Sequence, residues 1–275
     1  MTDKKIPASQ PQRPGALRSD ITVTLNTLYA YRLWQGRSGG GGAIPGMNHF
    51  LSRLVRMQAG SRADDPYADQ MTYHLEEQIK SAESRMSALY QNMSHILEQC
   101  PRGLTVSEVN STEPLKLPAF TLTPLGSRCF YLFLKYDEIA MYCLQAFGLG
   151  LIDEGTKARM LRDAGKIIRQ IFTQVRDWNY RHDGITRKDV MAQTALAQEA
   201  ARRWGPPDED VFWGRHRSSF SPALNAQTVS VLQAMAASAD IGAVPDDDPA
   251  GEPSDERGEQ GEAILPPGQL ATPEA

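Results

Sequence analysis

Apolar and polar residues alternate strictly from Asp20 to Asn26. Ile21, Val23 and Leu25 fall on one side, and Thr22, Thr24 and Asn26 on the other. A repeat of two is the pattern of a strand with one covered face. The pattern then changes. Leu28–Trp34 reads as a helix stopped by Gly36, and Gly39–Gly42 reads as a flexible loop. Pro45 can start another helix near 46–58, with Leu51, Leu54, Val55 and Met57 inward and Arg53 and Arg56 outward.

The longest periodic stretch follows Asp64-Asp65-Pro66. Asp65 is suited to cap a helix and Pro66 to occupy its first position. Met71, Leu75, Ile79, Ala82, Met86, Leu89, Met93 and Ile96 then recur every three or four residues. That stripe predicts one long helix, packed within the chain or against a second copy. Pro101 and Gly103 end it. Leu115-Lys116-Leu117 and Phe120-Thr121-Leu122-Thr123 alternate briefly, as strands or extended links. Pro114, Pro118 and Pro124 argue against long central strands.

Residues 129–152 form the most apolar region, but Lys135, Asp137 and Glu138 interrupt it. Charges at mid-span oppose a membrane crossing and favour a buried helix near 128–147. A further helix is predicted over about 155–178. Its core side carries Met160, Leu161, Ala164, Ile167, Ile168, Ile171, Phe172 and Val175, and its other side is rich in Arg and Lys. Thr186 with Asp189 resembles a capping box, opening a helix that is expected to reach Arg203 before Gly205-Pro206-Pro207. Val211, Phe212, Trp213 and Phe220 are expected to pack around Arg215, His216 and Arg217.

These elements predict a mainly α fold with a small β component, and a ribbon–helix–helix-like element within a larger helical domain. Three regions are expected. Residues 1–19 form a flexible arm rich in Pro, Gln and Lys, with no apolar signal core. Residues 20–230 form a helical, basic core whose candidate DNA-binding element lies at 20–60. Residues 231–275 form an acidic, disordered tail.

Charge sharpens that division. Of the 275 residues, the first 230 carry 28 Lys and Arg against 23 Asp and Glu, and the remainder carries ten acidic residues and one Arg. The formal net charge of −4 therefore hides a basic body and an acidic tail. A basic body is compatible with nucleic acid, but does not establish it.

Familiar chemistry is missing from the pattern. The three cysteines, Cys100, Cys129 and Cys143, are too few and too widely spaced for a disulfide framework or a zinc site. The five histidines form no metal-ligand motif, and His182 beside Asp183 reads as an ordinary loop pair. The glycine run lacks the Lys and Ser or Thr of a phosphate loop, and there is no nucleophile elbow. Asp64, Asp65 and Asp69 are better explained by a helix start than by a metal ion. The sequence therefore calls for no enzyme, cofactor or metal, and for a cytoplasmic protein with no membrane partner.

One reading of the first strand is functional. A ribbon formed by two subunits can enter the major groove of double-stranded DNA. Thr22, Thr24 and Asn26 would then face base edges, with Arg32, Arg37, Arg53 and Arg56 supplying charge near phosphates. Residues 120–123, and the basic stretches 157–176 and 187–203, are alternative contact surfaces.

Five segments carry a family resemblance: YRLWQGR at 31–37, DDPYAD at 64–69, GSRCFYLFLKYDEI at 126–139, GITRKDV at 184–190 and WGRHRSSFSP at 213–222. Together they resemble proteins encoded in integrating conjugative elements, related to AcaB-like transcriptional regulators. The resemblance spans most of residues 20–222. It implies DNA binding and control of mobile-element genes, and a homodimer is the expected form. The competing reading is an accessory or adaptor protein of conjugation, contacting conjugation or transcription proteins through the long helix and residues 204–220.

Overall fold

The computed structural model describes residues 21–38, 43–119, 123–177 and 184–241. Two strands, β1 (Ile21–Leu25) and β2 (Leu115–Ala119), stand among helices. Next in the chain after β1 are α1 (Leu28–Gln35), α2 (Met47–Arg62) and α3 (Pro66–Glu98). After β2 come α4 (Pro124–Gly148), α5 (Glu154–Asp177), α6 (Arg187–Met191), α7 (Ala195–Trp204), α8 (Glu209–Phe212) and α9 (Ala226–Ile241). Among the described residues the fold is mainly helical with one small antiparallel sheet.

The long helix forms as its pattern predicts. The Asp65 carboxylate accepts from the amides of Tyr67 and Ala68, and Pro66 sits in the first turn. Leu75, Ile79, Ala82, Met86 and Met93 are buried, because α4 and α5 pack along α3 within the same chain. Aromatic contacts join the outer helices to this centre. Phe50 of α2 lies 4.9 Å from Phe172 of α5, and Trp34 of α1 lies 5.7 Å from both Phe130 and Phe133 of α4. Cys129 and Cys143 are buried, free thiols whose pKa values burial raises, that of Cys143 to about 11.

Several local expectations change. Val55 is 39% exposed, and Met47 and Phe50 join Leu51, Leu54 and Met57 on the buried side of α2 instead. That helix starts after Gly46, beyond Pro45. The single helix expected from Thr186 to Arg203 is two. The Thr186–Asp189 capping box forms, but Gln193 takes a left-handed φ of 49° and Thr194 caps a new helix through the Ala197 amide. Helix α9 crosses the expected 230/231 boundary, and the chain divides into compact units after Leu232. Gly39–Gly42, Phe120–Leu122, His182, Asp183, and the arm and tail beyond 21–241 lie outside the described residues.

The two strands pair antiparallel, with Thr22 opposite Pro118, Val23 opposite Leu117 and Thr24 opposite Lys116. The second strand of the ribbon thus comes from the same chain and not from another subunit, a correction to the two-subunit ribbon that the alternation suggests. Pro118, without an amide hydrogen, is tolerated in a ribbon whose strands each keep an outer edge.

Candidate nucleic-acid interface

The ribbon has two unlike faces. Val23 and Leu25 are buried at 4% and 2% exposure, whereas Ile21, expected with them, is 42% exposed at the strand end. Directly opposed residues project to the same side of a sheet. Thr22 and Thr24 therefore share their face with Lys116 and Pro118. Thr22 and Lys116 are exposed, and Thr24 is half-buried. Lys116 is not among the residues that the sequence pattern nominates for this face. The Leu115-Lys116-Leu117 alternation carried the signal, but assigning its face required knowing the pairing partner.

Asn26 is placed differently. Its side-chain amide donates to Asp137 Oδ2 at 3.3 Å, and its backbone amide donates to the same oxygen at 2.7 Å. Thr27 donates to Asp137 Oδ1 through its amide at 3.0 Å and its hydroxyl at 2.6 Å. The Thr27 hydroxyl also caps α1 by accepting from Ala30. Asp137 is only 2% exposed, so these donors replace the water its carboxylate loses. A charge that interrupts the apolar run of α4 thereby fixes the junction between β1 and α1.

The four expected arginines fall into two groups. Arg56 is exposed and Arg53 half-buried on α2, whose inward side holds the apolar residues. Arg32 and Arg37 are exposed at the end of α1 and just beyond it. There the backbones of two helices nearly touch. A Cβ on Gly36 would sit 2.4 Å from the Gly46 nitrogen, and one on Gly46 would sit 2.4 Å from the Gln35 oxygen. Arg37 and Ile44 exchange two backbone hydrogen bonds of 2.8 Å, closing the base of the connection.

A second polar constellation unites three of the five distinctive sequence segments. Arg187 has no exposed surface. Its Nη1 donates to Asp64 at 2.9 Å, its Nη2 to Asp69 at 2.8 Å and to the Val211 carbonyl at 3.0 Å, and its Nε to the Phe212 carbonyl at 2.9 Å. Arg217 donates to both oxygens of Asp69 and to the Pro222 carbonyl. Thr228 donates to Asp64 at 2.6 Å, and Ser61 to Asp69. Two guanidinium groups thus balance two carboxylates with their hydrogen bonds filled, the condition under which buried charge is tolerated. The buried position of Arg187 removes it from the alternative contact surface at 187–203.

Glu76 extends this seam. It accepts from the hydroxyls of Ser218 and Ser219, from the Ser219 amide and from Lys80. Burial disfavours its charge, but these donors outweigh it and hold the carboxyl at about 2, below the ordinary 4.5. The arrangement is one of mutual satisfaction among the described side chains. Among the described residues, no group of three or more His, Cys, Asp or Glu could hold a metal ion, and no helix is long and apolar enough to cross a membrane.

The family model described as "Transcriptional regulator AcaB" matches residues 13–225. The chain belongs to the AcaB family of transcriptional regulators. The crystal structure of selenomethionine-containing AcaB from uropathogenic E. coli is similar in fold, with a TM-score of 0.50 at 11% identity. The match covers 74% of this chain and 98% of that one. No curated protein matches the sequence. The AcaB match includes the ribbon, Asp137 and both partners of the Arg187–Asp69 pair, whereas Thr228, which donates to Asp64, lies beyond it.

Proposed function

We propose that the chain is a non-enzymatic, cytoplasmic regulator that binds double-stranded DNA as a homodimer and controls genes of an integrating conjugative element. The observation that carries this reading is the outward ribbon face of Thr22, Thr24 and Lys116, whose first strand Asp137 anchors at the β1–α1 junction. Hydroxyl and ammonium groups can hydrogen-bond base edges or phosphates, and a two-stranded ribbon has the width of the major groove. Arg53 and Arg56 supply phosphate contacts. Membership of a family of transcriptional regulators supports the same reading. The adaptor reading rests on the long helix and residues 204–220, and the apolar stripe of that helix is largely buried inside the chain.

Binding to promoter fragments of the element, compared with unrelated DNA across a salt series, tests the proposal. Preferential binding is expected, with affinity falling as salt rises. Equal affinity for both DNAs at every ionic strength would reject sequence-specific regulation. Thr22→Ala combined with Thr24→Ala should then erode the preference without altering thermal unfolding.

A further inference from the structure

A cleft of about 440 Å³ opens where α1, α4 and α5 meet, and its lining includes Tyr29, Arg32, Arg37, Tyr136 and Arg169. Among the described residues, no Asp or Glu lines it. Among the described residues, none of the ion pairs involves Arg32, Arg37 or Arg169. This contrasts with Arg128, Arg187, Arg215 and Arg217, each of which meets a carboxylate. Three arginines therefore line one concave surface, and among the described residues none of them meets a carboxylate.

The position of Arg169 is built into the packing. A Cβ at Gly165 would stand 2.8 Å from Arg169 Nη1 and 3.3 Å from the Tyr136 hydroxyl oxygen. The absence of a side chain at Gly165 gives the guanidinium room to lie beside the tyrosine. Arg169 also donates to the Arg162 carbonyl at 3.2 Å, which fixes one end of its fork. Tyr136 is 4% exposed, and burial raises its hydroxyl to about 12 despite the nearby Arg169 charge. The hydroxyl therefore keeps its proton and remains a donor. Tyr29, 36% exposed, offers an accessible ring on α1.

We infer that this cleft binds a small ligand carrying phosphate and a flat ring, of nucleotide size. Planar guanidinium forks match phosphate oxygens, and cleared carboxylates leave their charge available to it. Tyrosine supplies a face for a ring and a hydroxyl for a hydrogen bond. The volume lies within the roughly 300–1,000 Å³ common for small-molecule sites. The site uses Arg32 and Arg37, leaving the ribbon face of Thr22, Thr24 and Lys116 for DNA. It does not depend on the DNA-binding proposal.

Calorimetric titration of the full chain with ADP and, separately, with pyrophosphate tests the inference. Both should bind the unaltered protein, ADP with a dissociation constant below about 1 mM. Arg37→Gln and Arg169→Gln should each weaken both probes on the order of tenfold or more. Tyr29→Ala should weaken ADP more than pyrophosphate, as loss of a stacking surface requires. Arg37 is exposed, so its variant remains informative if Arg169→Gln fails to fold. Absence of ADP binding, or unchanged affinity in a folded Arg37→Gln variant, would overturn the assignment. Pyrophosphate binding without ADP binding would also overturn it.

A DNA arm separates the two proposals. If the arginines serve DNA phosphates instead, Arg37→Gln should weaken duplex binding and ADP should not bind, which rejects the cleft inference. If ADP binds through Arg37 while the protein binds no DNA, the cleft inference stands and the DNA reading fails.

Discussion

Arg187 and Asp69 stand 118 positions apart in sequence, yet meet at 2.8 Å with neither side chain exposed. This pair joins the start of α3 to α6, and Arg217 brings the segment after α8 onto the same carboxylate. Replacing Arg187 with Met leaves Asp64 and Asp69 short of their principal donor. The expected loss is about 3–5 kcal/mol, the range for removing one partner of a buried ion pair. Urea unfolding should show a lower midpoint. Arg187→Lys should also be destabilised, because a single ammonium cannot reproduce the fork that reaches both aspartates.

Glu76 gives the same seam a response to acid. Its folded pKa of about 2 is lower than the ordinary 4.5, so its contribution is complete above 4.5 and declines as pH falls toward 2. A shift of this size corresponds to roughly 3 kcal/mol. Glu76→Gln should destabilise the protein at neutral pH and flatten the pH dependence in that acidic window. Chemical unfolding of both proteins at a series of pH values measures the difference. An identical slope in the variant would remove Glu76 as its source.

Asp137 should matter to the ribbon more than to the helical body. Asp137→Ala deprives the amides of Asn26 and Thr27 of their acceptor, with an expected cost of about 2–3 kcal/mol. Amide hydrogen exchange should rise first at the β1–α1 junction. DNA affinity should fall in a variant whose helical content is unchanged. Uniformly faster exchange throughout α3 and α4 would instead indicate global loosening.

Lys116 tests the outer face of the ribbon directly. If it contacts phosphate, Lys116→Ala should weaken all DNA sequences similarly and reduce the slope of log affinity against log salt by about 1. An unchanged slope would remove Lys116 from the phosphate contacts.

Removal of residues 242–275 tests the proposed separation of body and tail. The shortened chain should unfold cooperatively with nearly the same thermal midpoint. A lost or broadened transition would make the deleted residues part of the folded unit.

Local chemistry made much of the helical framework legible. Asp65-Pro66 announced the start of α3, and Thr186 with Asp189 announced α6, because capping depends on near neighbours. The break at Gln193 was not legible, since a left-handed non-glycine residue has little compositional signature. The β1 alternation showed a strand but not its partner, so Lys116 went unassigned. Asp137 was visible as a charge within an apolar run, but the groups that satisfy it lie more than a hundred residues earlier. The same distance concealed the partner of Arg187. Asn26 followed the polar pattern of its neighbours while its side chain turned back to Asp137.

The two glycines at the α1–α2 corner also determine where the chain tolerates engineering. The Arg37–Ile44 bridge ties the two ends of the connection together through backbone hydrogen bonds. A short reporter peptide inserted between positions 38 and 43 is therefore expected to leave the α1–α2 angle unchanged as long as the bridge persists. At positions 36 and 46, even a methyl group would collide with backbone.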